Sequence, residues 1–160
     1  AKEINTKKEF ESSIEILEKE IEKNSNVEEF QKFLIDLLFA YGLNLTDDYN
    51  PDYKKAIQIF NRIIDLDPKN YRSYYNLGIT YFELKEKKKS LKMLRKALKL
   101  KPDYKFAIYN IGLVYESQNK LEKALNYYEK ALLLDEKFSY ASIARKEIQQ
   151  KLDQKKRAKG

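Results

Sequence analysis

A period of 34 residues constrains this chain more than any other feature. Tyr75-Asn76-Leu77-Gly78 returns 34 positions on as Tyr109-Asn110-Ile111-Gly112, and Tyr81 returns as Tyr115. In the other direction Ser90, Leu94, Ala97 and Pro102 fall on Ala56, Phe60, Ile63 and Pro68. Self-similarity at such a period marks units that cannot bury their apolar faces alone and must stack on neighbours. A stack of this kind presents an extended surface, so the period points to binding before catalysis.

The spacing of apolar residues supplies the helices. After a frayed stretch 1–5, Thr6-Lys7-Lys8-Glu9 fits a capping box. Phe10, Ile14, Leu17 and Ile21 follow as one stripe, at spacings of 4, 3 and 4. Asn24-Ser25-Asn26 is a break, with Asn26 as cap of a second helix over 27–45. Asn50 as cap and Pro51 as first helical residue start a third helix, which ends near Leu66. Asp67-Pro68 and Lys101-Pro102 are stops, because proline cannot continue a helix. Helices are expected over 71–84, 87–100, 105–118 and 121–134, with Asp135-Glu136-Lys137 as the next break. A last helix from Phe138 carries Tyr140, Ala144 and Ile148 as its apolar stripe and fades into a disordered basic tail, Lys155 to Gly160.

Composition excludes several kinds of chemistry. The chain has no Cys and no His, which removes disulfides, thiolate nucleophiles, zinc fingers and histidine acid–base catalysis. Its 25 Asp and Glu residues sit in no catalytic motif, and no glycine-rich phosphate loop is present, so an enzyme is not expected. The loop around Asp47, Asp48 and Asp52 lacks the alternating acids, the glycine and the closing glutamate of an EF-hand. Neither metal nor cofactor is expected. No apolar run approaches the roughly 20 residues needed to span a bilayer. The net charge of +7 could draw nucleic acid or an anionic membrane. Its most basic stretch holds Lys85, Lys87, Lys88, Lys89, Arg95, Lys96, Lys99 and Lys101. The basic residues do not form one block, which favours a solvated surface. Ala1 is not an initiator Met, so the natural chain is expected to be longer or processed; no compartment follows.

The repeated residues carry a resemblance to the tetratricopeptide repeat, whose pattern is W-x2-L-G-x2-Y, then A-x3-F, a small residue and a closing P. Tyr74, Leu77, Gly78, Tyr81, Ala97 and Pro102 match it, with Ser90 and Leu94 departing. Ile111, Gly112, Tyr115, Ala124, Tyr128 and Ala131 match it again, with Ile108 and Glu136 departing. Ala56, Phe60 and Pro68 match an earlier second helix, whose first helix fits loosely through Leu34, Leu37, Leu38 and Tyr41. Aligning Tyr41 with Tyr81 makes the turn of that first repeat 6 residues longer, since Tyr41 to Ala56 is 15 positions and Tyr81 to Ser90 is 9.

The resemblance implies an all-α fold: an α-solenoid of stacked antiparallel helix pairs in a right-handed superhelix, with N- and C-terminal capping helices. As one domain over 1–160, the plan is a cap at 6–26, repeats at 27–70, 71–104 and 105–138, and a cap with basic tail at 139–156. The small residues Gly78, Ala97, Gly112, Ala124 and Ala131 are expected where helices approach closely.

In the family, the first helices of the pairs line a concave groove. Here those helices carry a second stripe beside the packing one: Tyr75, Ile79 and Phe82 with Asn76, then Phe106, Tyr109 and Leu113 with Asn110, and earlier Ile35 and Phe39. Rings bury apolar side chains, and an Asn amide can donate and accept at once, as peptide backbone requires. The expected function is a non-catalytic scaffold that binds a short peptide or helix of a partner protein. Helix spacing of about 8–10 Å gives a groove for roughly 6–9 extended residues. The Lys and Arg residues with which some relatives hold a C-terminal carboxylate are mostly replaced, and Arg72 is the nearest candidate. Self-association through the groove or end helices is the remaining alternative.

Overall fold

The computed structural model describes residues 2–23, 27–47 and 49–158, the side chains from Thr6 onward. The Asn24-Ser25-Asn26 break with its Asn26 cap, Asp48, and the last tail residues Lys159 and Gly160 lie outside the described residues. Among the described residues there are eight helices and no strand. They are α1 (Lys2–Lys23), α2 (Val27–Asn44), α3 (Tyr53–Leu66), α4 (Tyr71–Glu83), α5 (Lys87–Leu100), α6 (Lys105–Glu116), α7 (Leu121–Leu134) and α8 (Ser139–Arg157). The chain forms two compact units, 1–73 and 74–160, with the boundary in the first turn of α4.

In the first unit α1 packs on α2, and α2 on α3. Ile14 is buried, and the Phe10 ring stacks on Tyr41 with centroids 5.0 Å apart. Tyr41 Oη donates to Glu11 Oε1 at 2.9 Å, and Arg62 pairs with Glu18. Two expected helix starts are corrected here. α1 begins at Lys2, so Thr6 lies inside the helix and the capping box does not form. Lys2 and Glu3 are good helix formers that extend it. α3 begins at Tyr53, and its cap is Asp52 rather than Asn50. Asp52 Oδ1 accepts from Lys55 N–H at 3.0 Å, satisfying one of the unpaired amides of the first turn.

The register of the first helix pair is also corrected. A Cβ on Gly42 would lie 2.7 Å from Phe60 Cε1; on Gly78, 2.6 Å from Leu94 Cγ; on Gly112, 2.5 Å from Tyr128 Cε1. These glycines therefore occupy one position in three helix pairs, and Gly42, not Tyr41, sets the alignment. Gly42 to Phe60 is 18 positions, against 16 for Gly78 to Leu94 and for Gly112 to Tyr128, so 2 residues are inserted rather than 6, although the turn itself, 45–52, has 8 residues against 3 at 84–86 and 4 at 117–120. Within that turn Asp52 N–H donates to Leu45 O at 2.8 Å, and Tyr49 N–H to Asp47 Oδ1 at 3.1 Å, which gives both acids backbone roles.

In the second unit α4 meets α5 at the Gly78–Leu94 contact, and α5, α6, α7 and α8 pack each on the next. Leu94, Ala97, Ile111, Val114, Ala124, Tyr128 and Ile148 are fully buried at its centre. The tight turns α4–α5 and α6–α7 each place one residue in the left-handed region, Lys85 at φ 62° and Asn119 at φ 56°, 34 positions apart. α7 ends without proline, yet Asp135 closes it: its N–H donates to Ala131 O, and its Oδ1 accepts from Lys137 N–H at 3.0 Å. Lys105 Nζ reaches Asp135 Oδ2 at 2.5 Å. That hydrogen bond, with the one from Lys137 N–H, holds the Asp135 carboxyl below its ordinary range.

α8 differs from expectation at both ends. Its buried stripe is Ala141, Ala144, Ile148 and Leu152, and Tyr140 is 65% exposed. Its helix continues through Lys155, Lys156 and Arg157. Three cations in the last turn complement the negative end of the helix dipole, which explains why this stretch is helical rather than disordered.

Ser90 departs from the alanine of the family pattern, and it is fully buried. Its Oγ has no hydrogen-bond partner among the described residues. An unpaired buried hydroxyl costs about 1–3 kcal/mol. Ser90→Ala is therefore expected to raise stability by about 1 kcal/mol, read as an upward shift of the urea midpoint with an unchanged slope.

Candidate functional site

The second unit carries a continuous row of aromatic rings. Tyr75 on α4 meets Tyr104 edge to face at 5.0 Å, and Tyr104 meets Phe106 at 5.5 Å. Phe138 then lies 5.4 Å from both Phe106 and Tyr109, and Tyr140 lies 6.2 Å from Tyr109. Helix periodicity explains the row. On α6 the positions Ala107, Ile108, Ile111 and Gly112 point into the core, which leaves Phe106, Tyr109, Asn110 and Leu113 on the adjoining face. The ring contacts fix the aromatics in place, while Phe106 stays 40% exposed and Tyr140 65%.

Beside the row is an open cavity of about 440 Å³. Phe82, Tyr109 and Leu113 line it from α4 and α6; Tyr140 and Ile143 line it from α8. Two carboxylates, Glu116 from α6 and Glu147 from α8, also line it. Glu116 Oε2 accepts from Tyr128 Oη at 2.6 Å, and Glu116 Oε1 from Lys151 Nζ at 3.0 Å.

The expected site residues divide between the units. In the second, Phe82, Tyr109 and Leu113 share the cavity, and Phe106 joins the ring row. Tyr75 and Asn110 are joined by a hydrogen bond from Asn110 Nδ2 to Tyr75 Oη at 3.3 Å. That same Nδ2 also donates to Phe106 O at 2.8 Å. Asn76 and Ile79 are half-buried on α4, and Asn76 O accepts from Thr80 Oγ1. In the first unit, Ile35 and Phe39 are half-buried on α2, and the Arg72 guanidinium lies 4.2 Å above the Phe39 ring. Sequence reasoning missed Tyr104, Glu116, Tyr140, Ile143 and Glu147. The signal for Tyr140 and Ile143 was their i, i+3 spacing beside the Ala141–Ala144 stripe, which small alanines disguised.

Burial raises the Tyr75 hydroxyl to about 12, with neighbouring Tyr104 adding to the rise. Burial also raises Tyr109, Tyr128 and Tyr41; for Tyr128 and Tyr41 a carboxylate partner, Glu116 and Glu11, pushes the same way. A tyrosine raised in the folded state keeps its proton when the unfolded one has lost it. Its stabilising contribution is thus complete below about pH 10 and is lost as pH rises from 10 to 12. Tyrosinate absorbance is expected to rise in separate phases, with Tyr41, Tyr75, Tyr109 and Tyr128 ionising only with loss of helical circular dichroism. One smooth titration of all 13 tyrosines with the helices intact would contradict this.

The sequence profile of the tetratricopeptide repeat matches residues 71–104 and 106–138. No curated protein matches the chain by sequence. Among solved structures, the first tetratricopeptide domain of Spaghetti (RPAP3), bound to the HSP90 peptide SRMEEVD, is 26% identical with a TM-score of 0.68, over 74% of this chain and 93% of that one. The first such domain of human RPAP3 is 26% identical with a TM-score of 0.69, over 77% and 95%. The MamA protein is 26% identical with a TM-score of 0.67, over 90% and 74%. No helix among the described residues is long and apolar enough to cross a membrane. Residues 71–104 and 106–138 are thus tetratricopeptide repeats, and the α2–α3 helix pair is consistent with a third.

Proposed function

We propose that the face of α4, α6 and α8 in the second unit binds a short segment of a partner protein, without catalysis. The observation that carries this reading is the ring row beside the cavity: apolar surface held rigidly and left partly open. Rigid aromatic side chains lose little conformational entropy on binding and are the usual anchors of an interface. Tyr75, Asn76, Ile79, Phe82, Phe106, Tyr109, Asn110 and Leu113 form the contact set, to which Tyr140 and Ile143 are added. Ile35, Phe39 and Arg72 form a separate contact set on the first unit. Asn110 is assigned to hold Tyr75 as well as to meet ligand, since its Nδ2 already has two acceptors.

Tetratricopeptide repeats mediate protein–protein interaction, and a relative binds a peptide, which supports the class of ligand. That peptide, SRMEEVD, is acidic. It is said of that relative alone and is not carried over. The basic stretch of α5 gives little support to a polyanion reading. Lys87 Nζ donates to Ser117 O, Arg95 to Tyr115 Oη, Lys89 pairs with Glu86, and Lys96 lies 5.2 Å over the Tyr74 ring.

A random peptide-display library selected on immobilised wild type tests the reading. Enriched peptides are expected to bind Tyr140→Ala and Tyr75→Ala roughly 10- to 100-fold more weakly, and Lys92→Ala unchanged. No enrichment over a blank surface, or equal affinity for all variants, would defeat it. Sedimentation of the wild type decides the self-association alternative, which monomer at high concentration removes.

A further inference from the structure

We propose that the cavity between α4, α6 and α8 takes a single arginine side chain from an otherwise apolar segment of the partner; the inference rests on the reading above. The second unit is strongly basic, with 21 Lys and Arg against 10 Asp and Glu, a net charge of +11. Inside that excess the cavity wall gathers two carboxylates, Glu116 from α6 and Glu147 from α8, among apolar side chains. Among the described residues three cations reach this lining, the first being Lys87, whose Nζ donates to Ser117 O. Lys151 is occupied with Glu116 at 3.0 Å, and Lys85 Nζ lies 6.0 Å over the Phe82 ring at the rim. Tyr109, which also lines the cavity, has its hydroxyl raised by burial first and then by Glu116, Tyr140 and Glu147.

Arginine fits this lining in each of its parts. Its aliphatic stem can lie along Phe82, Leu113 and Ile143. Its planar guanidinium can stack on Tyr109 or Tyr140, both cavity residues. Its forked donors can pair with the two oxygens of the Glu147 carboxylate, a bidentate contact that lysine cannot copy. The surrounding net charge of +11 opposes further cations, so the segment carries one basic residue and not a basic run.

Glu147 is exposed, so Glu147→Gln removes the charge without disturbing the core. The random display library is selected in parallel on wild type, Glu147→Gln and Tyr140→Ala, and enriched peptides are remade with arginine replaced by citrulline. Wild type is expected to enrich peptides with one arginine flanked by aliphatic or aromatic residues. Citrulline in that place, or Glu147→Gln against the arginine peptide, should weaken binding by roughly threefold to tenfold. Peptides that depend on Tyr140 but lack the arginine, or that bind Glu147→Gln equally well, overturn this inference and leave the groove reading intact. An absence of enriched peptides on wild type overturns both.

Discussion

Gly112→Val is expected to cost at least about 3 kcal/mol of stability. A helical glycine normally gains about 1 kcal/mol on becoming alanine, so the sign depends on space. At Gly112 there is none: a Cβ would meet Tyr128 Cε1 at 2.5 Å, Cδ1 at 2.8 Å and Cζ at 3.2 Å. The Tyr128 ring cannot swing aside, because it is fully buried and its hydroxyl is tied to Glu116 at 2.6 Å. Alanine therefore loses more than its helix propensity returns. Valine adds two methyls and a stiff χ1 to the same clash, forcing α6 and α7 apart at the centre of the core. Urea unfolding followed by circular dichroism measures the cost, and a midpoint equal to wild type would contradict the packing described.

Tyr128→Ala is expected to cost about 3–5 kcal/mol by itself, as for other large buried rings. It removes a fully buried ring from between α6 and α7, together with the donor to Glu116. In the double variant the two costs should not add. The space left by the ring accepts the valine methyls, so the combined loss falls short of the sum by about 1 kcal/mol or more. Full additivity would mean that Gly112 and Tyr128 do not share a contact. Gly42–Phe60 and Gly78–Leu94 repeat the arrangement, and three of the chain's four glycines thus stand where two helices approach too closely for a Cβ.

That glycine pattern also explains what the sequence could and could not disclose. The period of 34 and the alternation of packing and second stripes were visible because Leu77, Gly78, Ile111 and Gly112 must recur for the helices to pack. The first helix pair was misaligned because Tyr41 looked like the conserved-size filler of Tyr81, while the sterically demanding position was its neighbour Gly42. Tyr140 was placed in the core because large residues dominate a hydrophobic stripe by eye. The true stripe begins at Ala141, and Phe138 and Ala141 already fill the buried places around it. The helix starts at Lys2 and Tyr53 were missed for a different reason, since several capping residues lay within reach and only the local backbone selects among them. The carboxylates on the cavity wall had no sequence signal, because Glu116 and Glu147 come from helices 31 positions apart and meet only in the fold.

The central claim is that the α4, α6 and α8 face of the second unit is where a partner segment lies. Amide chemical-shift mapping of the isotope-labelled protein, titrated with a peptide enriched by wild type, tests it most directly. The account predicts the largest shifts at Tyr75, Phe82, Phe106, Tyr109, Leu113, Tyr140 and Ile143, with little change along α5 and the outer side of α7. Shifts concentrated instead on Lys88, Lys92 and Lys99 of α5, with the ring row unmoved, would contradict it.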